Sequence, residues 1–364
     1  MKHFAGRLGI TQRVLPSYRA PFFEKLAAHC AGGLAVFAGQ PRPGEAIHSA
    51  SELQSAQWQR ARNRHWLGGP LYICWQSGLR EWLEEWQPEA LIIEANPRYL
   101  SSRIAIEWMR ARRRPLIGWG LGTGRGGGLV SQVTQPWRRR FLSQFDALIA
   151  YSREGMQSFE ALGLAATKLY HAPNAVVDLP SPPPQERSNE VPQLLFVGRL
   201  QARKGLDRLI RASQALQTEL AHELHIVGAG PEKTSLEAIA GGERQEIRFS
   251  GPLFGAELEA AFRLADLFVL PGTGGLAIQQ AMSFALPVIA GEGDGTQRDL
   301  LDESNGWQLA THSQAELEHT LRQALTDGED LKERGQASFE KAKQQFNLTR
   351  MTDVFVQVIN EVSA

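Results

Sequence analysis

The 364-residue sequence has few cysteines and no net charge. Its two cysteines, Cys30 and Cys74, are too few for a disulfide or metal-binding framework, so a reducing cytosol suits the chain. No apolar run approaches the roughly 20 residues that a membrane-spanning helix needs, and the N-terminus has no signal-peptide core. The nine histidines are scattered without the paired spacing of metal ligands. These absences predict a cytoplasmic protein without a resident metal or cofactor.

Length and charge indicate more than one domain. A chain of 364 residues exceeds one ordinary core, and its 43% of hydrophobic residues is typical of globular proteins. Residues 1–185 carry 22 Lys and Arg against 13 Asp and Glu, whereas the remainder carries 17 against 26. The basic first half therefore faces something anionic. An anionic membrane, a phosphorylated lipid carrier and nucleic acid are the candidates.

One stretch of the second half combines strand, turn and helix signals. It reads as a buried strand at Leu267–Leu270, a glycine-rich turn at Pro271–Gly275, a helix at Leu276–Phe284 and a strand at Pro287–Ala290. The turn glycines let a ligand approach the backbone, and the helix behind them begins with unpaired N–H groups. At the carboxyl end of a strand this arrangement predicts an anion site, although many α/β folds use such glycines only for tight packing.

Strand-like and helical runs alternate along the whole chain. In the first half a short strand at Leu8–Ile10 precedes a loop at 11–19 and a helix with Pro21 in its first turn. Further strands are predicted at Gly33–Phe37, Ala90–Glu94, Pro115–Trp119, Ala147–Tyr151, Leu194–Gly198, Leu224–Gly228 and Ile247–Gly251. This alternation predicts parallel sheets covered on both faces. The segment Gly118–Gly128 reads as a mobile loop that closes on substrate.

The domain boundary is expected where proline is dense. Residues Asp178–Pro192 contain no pattern of a packed element, which indicates a linker. We expect an N-terminal domain over 1–178, a linker over 179–192, a C-terminal domain over 193–340 and a helical segment over 341–364 that packs back on the first domain. A single long helical segment is predicted within Ser338–Val362.

Tryptophan and arginine are concentrated in the first half. Eight of the nine tryptophans lie there, where they serve either as core and groove walls or as contacts for a lipid or sugar ring. Arg110 with Arg112–Arg114 forms one cluster, and Arg138–Arg140 beside Trp137 forms another. Each is either a solvated helix end or a contact with an anionic bilayer.

Two cations follow the first strand of the second half. Arg199 and Lys204 would reach the same sheet edge as the turn Gly272–Gly275. Two cations and a helix N-terminus at one place form a clamp for a diphosphate, because each adds charge-assisted donors. The alternative is that Lys204 is an ordinary surface residue.

The motifs FVGRLQARKGLDRLI, IVGAGPE, IRFSGPL, ADLFVLPG, AMSFALPVIA and NGWQL occur in this order. In that combination residues 191–310 resemble the retaining glycosyltransferases of family 4 (glycosyltransferase group 1). More loosely, QRVLPSYRAPFFEKLA, EANPRYLSS, FDALIAYSREGM and HAPNAV resemble a bacterial branch that makes polysaccharides and glycolipids. The resemblance implies an α/β GT-B fold of two doubly wound Rossmann-like domains facing across a cleft.

The resemblance also implies roles for individual residues. Arg199 and Lys204 match the pair that stabilises the departing nucleoside diphosphate. Donor-binding positions would be Gly198, Gly228, Gly230, Phe249, Gly251, Leu253, Thr273, Gly274, Gly275, Leu276 and Gln280. Acceptor contacts would come from the first domain, at Arg19, Asn96, Arg98 and Gly122.

Three positions depart from the family's pattern. The family usually carries two Glu separated by seven residues, and here Gly272 and Gln280 stand at those positions, so the chain represents a divergent branch. Leu121 stands where related sequences often have His. Gln280 can still bond a ribose hydroxyl, but a neutral amide makes a weaker contact than a carboxylate.

The resemblance therefore implies a retaining, metal-independent, hexosyltransferase-type enzyme. It would move a sugar from a nucleotide-sugar to a glycan or lipid-linked acceptor in polysaccharide or glycolipid biosynthesis, in the cytoplasm. Peripheral contact with the inner face of the plasma membrane is left open. The front-face attack that the resemblance implies requires positioning and leaving-group stabilisation more than a base. We therefore assign no nucleophile.

Other functions fit the sequence less well. A catalytically inactive relative that binds a nucleotide or glycan as a partner subunit is the main alternative, favoured by the missing Glu and His and disfavoured by the intact Arg199 and Lys204 pair. A nucleotide-sugar epimerase would need acidic and His groups that the sequence does not display. Nucleic-acid binding lacks a reader module.

Overall fold

The computed structural model describes residues 3–42, 45, 47–122, 129–180, 189–242, 246–293 and 295–364. The chain divides into two compact units, Met1–Val176 together with Leu348–Ala364, and Val177–Asn347. Residues 123–128 of the expected mobile loop and 181–188 of the expected linker lie outside the described residues.

In the described residues of Met1–Val176 the first unit contains nine strands and five α-helices. The strands are β1 (Leu8–Val14), β2 (Leu34–Gly39), β3 (Gln57–Arg60), β4 (Arg62–Trp66), β5 (Ile73–Ser77), β6 (Ala90–Glu94), β7 (Leu116–Gly120), β8 (Ala147–Ala150) and β9 (Leu169–His171). The helices are α1 (Ala20–Ala27), α2 (Leu79–Trp86), α3 (Ser102–Ala111), α4 (Leu129–Leu142) and α5 (Arg153–Ala161). Seven strands form a parallel sheet in the order β3-β2-β1-β6-β7-β8-β9, and β4 and β5 form a separate antiparallel hairpin.

Strand β1 is longer than the sequence indicated. We expected a loop from residue 11, and this was wrong because the strand continues to Val14. Gln12 pairs with Ala38 and Val14 with Gly39 of β2, so polar residues are drawn into the sheet by their neighbours. Strands β3, β4, β5 and β9 were not predicted, since β3 is largely exposed and has no apolar run to mark it.

The second unit contains a six-stranded parallel sheet in the order β12-β11-β10-β13-β14-β15. Its strands are β10 (Gln193–Val197), β11 (Glu223–Val227), β12 (Ile247–Gly251), β13 (Leu267–Leu270), β14 (Val288–Ala290) and β15 (Gly306–Gln308). Its helices are α6 (Leu206–Leu216), α7 (Lys233–Ala240), α8 (Gly255–Leu264), α9 (Leu276–Ser283), α10 (Thr296–Leu300), α11 (Gln314–Thr326) and α12 (Gly328–Gln344). The strand order reverses between β10 and β13, which is where doubly wound sheets bind ligands.

The C-terminal helical segment is not continuous, contrary to our expectation. Helix α12 ends at Gln344 and a further helix, α13 (Leu348–Ser363), belongs to the first unit. The Asn347 side-chain amide donates to the carbonyls of Ala342 (2.9 Å) and Lys343 (2.8 Å), which closes α12. In the first unit, Phe355 of α13 packs edge-on against Phe22 of α1, with 4.8 Å between ring centroids.

Helices cover both faces of the first sheet. One face of the first sheet packs on α1 and α13, and the other on α2, α3 and α5, so its central strands are apolar on both sides. The second unit has one continuous core that includes residues from each of its strands except β15. The chain therefore forms two Rossmann-like α/β units, as predicted.

Candidate functional site

The turns that follow β10 and β13 are tied together at the carboxyl edge of the second sheet. Buried Lys204 donates its Nζ to the Thr273 carbonyl at 2.5 Å, and the Thr273 amide donates to the Arg203 carbonyl at 3.1 Å. The Arg203 guanidinium also donates to Thr273 Oγ1 at 2.7 Å. The structure therefore brings Lys204 to the glycine-rich turn, and its near-complete burial excludes an ordinary surface position.

The glycines of the β13 turn are required by close packing. Gly274 has a φ of +150°, and a Cβ there would lie 2.5 Å from Lys204 Nζ. A Cβ on Gly275 would lie 2.5 Å from Thr296 Oγ1. At Gly272 a Cβ would meet the Arg203 carbonyl oxygen at 2.2 Å. A side chain at position 272, where the family carries its first Glu, would therefore force the backbone of the neighbouring turn to shift.

The helix after this turn presents an open N-terminus. Helix α9 begins at Leu276 with Gly275 as its N-cap, and no side chain caps it. Helix α6 begins after Gly205, which has a φ of +67°, also without a side-chain cap. Uncapped N–H groups carry partial positive charge, so both helix starts and the Lys204 ammonium favour an anion at this edge. Half-buried Arg199 lies in the same β10 turn.

The turns that follow β10, β11 and β12 pack against one another through their backbones. A Cβ on Gly228 would lie 1.9 Å from the Gly198 carbonyl oxygen, and one on Gly230 would lie 2.1 Å from that of Leu200. The Gly228 amide donates to the Gly251 carbonyl at 2.7 Å. Tight packing therefore explains these glycines by itself, and their donor-binding role stays a prediction. Phe249 and Leu253 are half-buried against the core beside them.

Three further side chains support the turn and were missed from the sequence. Arg208 donates to the Pro271 carbonyl at 3.1 Å, and its Nη1 is buried without a partner. Gln297 donates its Nε2 to the Gly274 carbonyl, and its buried Oε1 has no partner. Arg203 adds the contact to Thr273. Only the basic run 203–204 is a local signal for these residues, because Gln297 comes from a helix one strand further along the chain.

The two glutamines of α9 have different surroundings. Gln280, the position of the family's second Glu, is half-buried, whereas Gln279 is 3% exposed and its Oε1 has no partner. Gln280 is therefore the one that a ligand at the sheet edge can reach, as the resemblance implied. Its contact with a ribose remains a prediction.

The predicted acceptor residues of the first unit follow strands β1, β6 and β7, which are neighbours in the sheet. Buried Arg19 donates to the Ala175 carbonyl at 3.1 Å and to Asn174 Oδ1 at 2.5 Å, which holds the segment after β9. Asn96 Oδ1 accepts from the Arg98 amide, so these two residues shape the turn after β6. Gly122 follows β7, and a Cβ there would lie 2.6 Å from the Cα of a glycine in α5. Each position has a structural contact that accounts for it.

One arginine cluster is engaged within the unit. Arg112 donates to both carboxylate oxygens of Glu84, at 3.1 and 3.0 Å, and lies 3.9 Å above the Trp108 ring. Arg114 donates to Gln87 and the Pro88 carbonyl. In the other cluster Arg139 and Arg140 are exposed beside Trp137, which is 43% exposed.

Two negative observations limit the chemistry of the described residues. Among them no group of three or more His, Cys, Asp or Glu could hold a metal ion. None of the helices in the described ranges is long and apolar enough to cross a membrane. A groove of about 260 Å³ in the second unit is lined by Gln193, Glu223 and Glu246 at strand starts, so it lies at the edge opposite the turns described above.

Comparison with solved structures identifies the architecture. Anabaena HepE in complex with UDP superposes with a TM-score of 0.71 at 16% identity, covering 99% of this chain and 100% of that one. The fold is therefore GT-B, as the sequence motifs indicated.

Sequence comparison then relates the second unit to known proteins. Residues 191–327 match the family model described as glycosyl transferases group 1. A phosphatidyl-myo-inositol mannosyltransferase of Mycobacterium leprae is 31% identical over 242 residues, which span 64% of this chain and 62% of that protein. A GDP-mannose-dependent alpha-(1-6)-phosphatidylinositol monomannoside mannosyltransferase of Mycobacterium tuberculosis H37Rv is 24% identical over 86% of both chains.

Proposed function

We propose that this chain is a retaining glycosyltransferase that moves a hexose from a nucleotide-sugar to a glycan or lipid-linked acceptor. The observation that carries the proposal is the junction of the β10 and β13 turns, where Lys204, the open backbone of Gly274 and the start of α9 share one sheet edge. The match of residues 191–327 to group 1 glycosyltransferases supports it.

In this proposal the cationic, backbone and amide groups of the second unit bind different parts of the nucleotide. Arg199 and Lys204 neutralise the diphosphate as it leaves, and the amides at the start of α9 bind its oxygens. Gln280 bonds the ribose, and the β11 and β12 turns flank the nucleoside. Because positioning and leaving-group stabilisation carry the reaction, no protein nucleophile, resident metal or cofactor takes part.

The names of the relatives suggest which substrates to try first. Two mycobacterial relatives are named for phosphatidylinositol-based acceptors, and one of these for GDP-mannose. The structural neighbour HepE was solved with UDP. GDP-mannose and UDP-glucose are therefore the first donors, and glycolipids are the first acceptors.

We also propose that the first unit contacts an anionic membrane. Arg139 and Arg140 are exposed next to half-exposed Trp137, a combination that suits the headgroup region. The tip of the β4–β5 hairpin exposes Leu67 (67%) and Leu71 (70%) beside the exposed Arg64. Both places combine apolar side chains with arginine, and their location at the inner face of the plasma membrane is part of the proposal.

The test is calorimetric titration with UDP, GDP, dTDP, ADP and their sugars, followed by a transfer assay with glycolipid acceptors. Micromolar binding of one nucleotide and a product whose anomeric configuration by NMR equals that of the donor are the expected results, unchanged by EDTA. An inverted product would overturn the retaining mechanism. Nucleotide binding without transfer to any glycan or lipid-linked acceptor would instead establish the partner-subunit alternative.

A further inference from the structure

Three adjacent strands of the first sheet carry side chains with polar groups on one face near their carboxyl ends. Glu94 of β6 is in register with Trp119 of β7, and Thr11 of β1 is in register with Ile93, so Gln12 lies next to Glu94 across the strand pair. Paired residues of parallel strands point to the same side of the sheet. Gln12, Glu94 and Trp119 therefore form a row, which we call the Gln12–Glu94–Trp119 row, at the point where the order of the first sheet reverses.

Two members of this row are buried hydrogen-bond donors that find no acceptor among the described residues. Gln12 is 7% exposed and Trp119 is 1% exposed, and neither Gln12 Nε2 nor Trp119 Nε1 has a partner in the described part of the chain. Leaving a buried donor unsatisfied costs on the order of 1–3 kcal/mol, so each such group calls for a partner such as a bound water or ligand. Three other tryptophans show the usual pattern, since the indoles of Trp58, Trp86 and Trp108 donate to oxygens at 2.8–3.0 Å.

The third member can accept a hydrogen bond between these donors. One Glu94 carboxylate oxygen accepts from the Arg13 amide at 2.5 Å. Burial, the largest effect, raises the pKa of Glu94 to about 7 despite that hydrogen bond. The Arg13 side chain does not neutralise the carboxylate by an ion pair, because it donates to Glu45 at 2.8 Å.

Aromatic rings hold Trp119 in place beside the row. Its ring centroid lies 5.3 Å from that of Tyr151 and 5.0 Å from that of Phe355, both edge-on, and the Arg19 guanidinium lies 5.3 Å above it. A fixed indole cannot turn to find another acceptor, so only a group brought to its edge can pair the buried N–H. This gives Arg19 a positioning role as well as its contact with Asn174.

We propose that the Gln12–Glu94–Trp119 row binds vicinal hydroxyls of a neutral cyclic polyol, the acceptor of the proposed transferase. A hydroxyl both accepts and donates, so one pair of hydroxyls satisfies the Gln12 and Trp119 N–H groups while donating to Glu94. A phosphate or carboxylate would satisfy the donors but would meet the Glu94 carboxylate, which disfavours an anionic group at this place. The inference rests on the proposed function for its acceptor role, and on the first unit alone for its geometry.

The experiment observes the indole directly. Protein labelled with ¹⁵N-tryptophan shows one indole resonance for each of nine tryptophans, and the resonance lost in Trp119→Phe is assigned to Trp119. Titration with myo-inositol and, separately, methyl α-D-mannoside is expected to shift this resonance saturably with one of them, while that of Trp86 stays in place. Gln12→Leu and Glu94→Gln are each expected to weaken this binding at least tenfold.

Nucleotide titration of the same samples separates the two proposals. Unchanged nucleotide affinity in Gln12→Leu and Glu94→Gln, with lost polyol binding, supports the polyol subsite. An unmoved Trp119 resonance at saturating concentrations of both polyols, or equal polyol affinity in the variants, overturns it even if nucleotide binds. Polyol binding in a protein that binds no nucleotide keeps the subsite and removes its role in glycosyl transfer.

Discussion

Gly272 lies against the backbone of Lys204, so that a Cβ at position 272 would stand 2.7 Å from the Lys204 Cα. The glycine at this position, where the family carries a carboxylate, therefore allows the β10 and β13 turns to pack closely. Because Lys204 is also bonded to the Thr273 carbonyl, the packing at Gly272 and the placement of the ammonium depend on each other.

Restoring that carboxylate is expected to lower both stability and nucleotide affinity. Gly272→Glu forces the turns apart, which costs about 1–3 kcal/mol of unfolding free energy by overpacking and weakens nucleotide binding. Gly328→Glu is the matched control, since nothing lies within 4 Å of a Cβ at that position. Urea unfolding of both variants is the measurement. A Gly272→Glu protein as stable as Gly328→Glu would show that the turns can separate without cost.

The second family carboxylate is expected to be tolerated. Gln280→Glu places a charged acceptor on a half-buried site, and nucleotide affinity should rise about fivefold because a carboxylate binds ribose hydroxyls more strongly than an amide. At the adjacent buried Gln279, the same change to Glu should instead destabilise the fold by burying a carboxylate. Calorimetry and thermal unfolding report the two effects. Equal behaviour of the two variants would contradict the different exposure of the glutamines.

Removing the Lys204 ammonium should weaken the binding of a nucleoside diphosphate. Lys204→Ala is expected to cost on the order of 2 kcal/mol, or about 30-fold in Kd, the scale of a charge-assisted contact. Lys332→Ala removes an exposed lysine whose partner is Glu329 and should leave Kd unchanged. Calorimetric titration of both variants decides the matter. Unchanged nucleoside diphosphate binding in Lys204→Ala would contradict the proposed diphosphate clamp.

The exposed arginine cluster is expected to hold the protein on anionic lipid. Replacing Arg138–Arg140 with Ser should reduce binding to phosphatidylserine vesicles more than tenfold at low salt, because each basic group near the surface contributes about 1 kcal/mol. Replacing Arg112 and Arg114 with Ser is the control, since their contacts to Glu84 and Gln87 lie within the unit. Vesicle flotation measures both. Loss of binding in the control alone would contradict this prediction and assign the membrane contact to the cluster of Arg112 and Arg114.

Glu94 should make stability depend on pH. Its folded-state pKa of about 7 exceeds the ordinary value of 4.5, so the folded protein holds this proton more tightly and loses stability as pH rises from 4.5 through 7. Glu94→Gln has no such loss. The difference in unfolding free energy, variant minus wild type, should therefore grow with pH by on the order of 1–3 kcal/mol across this window and then level off. A difference that stays constant from pH 5 to 8 would show that Glu94 titrates normally.

The extent of successful prediction differs between elements for a physical reason. Strands buried on both faces, such as Leu267–Leu270, carry continuous apolar runs and were predicted to within two residues in the second unit. Strand β3 (Gln57–Arg60) is largely exposed and is held by pairing with β2, so nothing local marks it. At the break between α12 and α13 the Asn347 amide bonds the Ala342 carbonyl, inside an otherwise helical sequence pattern.

The site divides in the same way. Lys204 and the glycine turn could be predicted because both directly follow buried strands, and parallel strands end at one edge. Gln297 and Arg208 could not, because their contacts with the turn join residues 23 and 63 positions apart. The Gln12–Glu94–Trp119 row was missed because its members come from three strands and register alone aligns them.

The sequence by itself determined the alternation of two α/β units, the glycine-rich turn and the lysine beside it, since periodicity and glycine chemistry are local properties. The tertiary structure alone decided that a side chain at position 272 would force the neighbouring backbone to shift, that Arg19 is buried in structural contacts, and that the Gln12 and Trp119 donors find no acceptor among the described residues. Those outcomes depend on which backbone approaches which atom to within a few tenths of an ångström. Such distances follow from the packing of distant segments and leave no periodic trace in the chain.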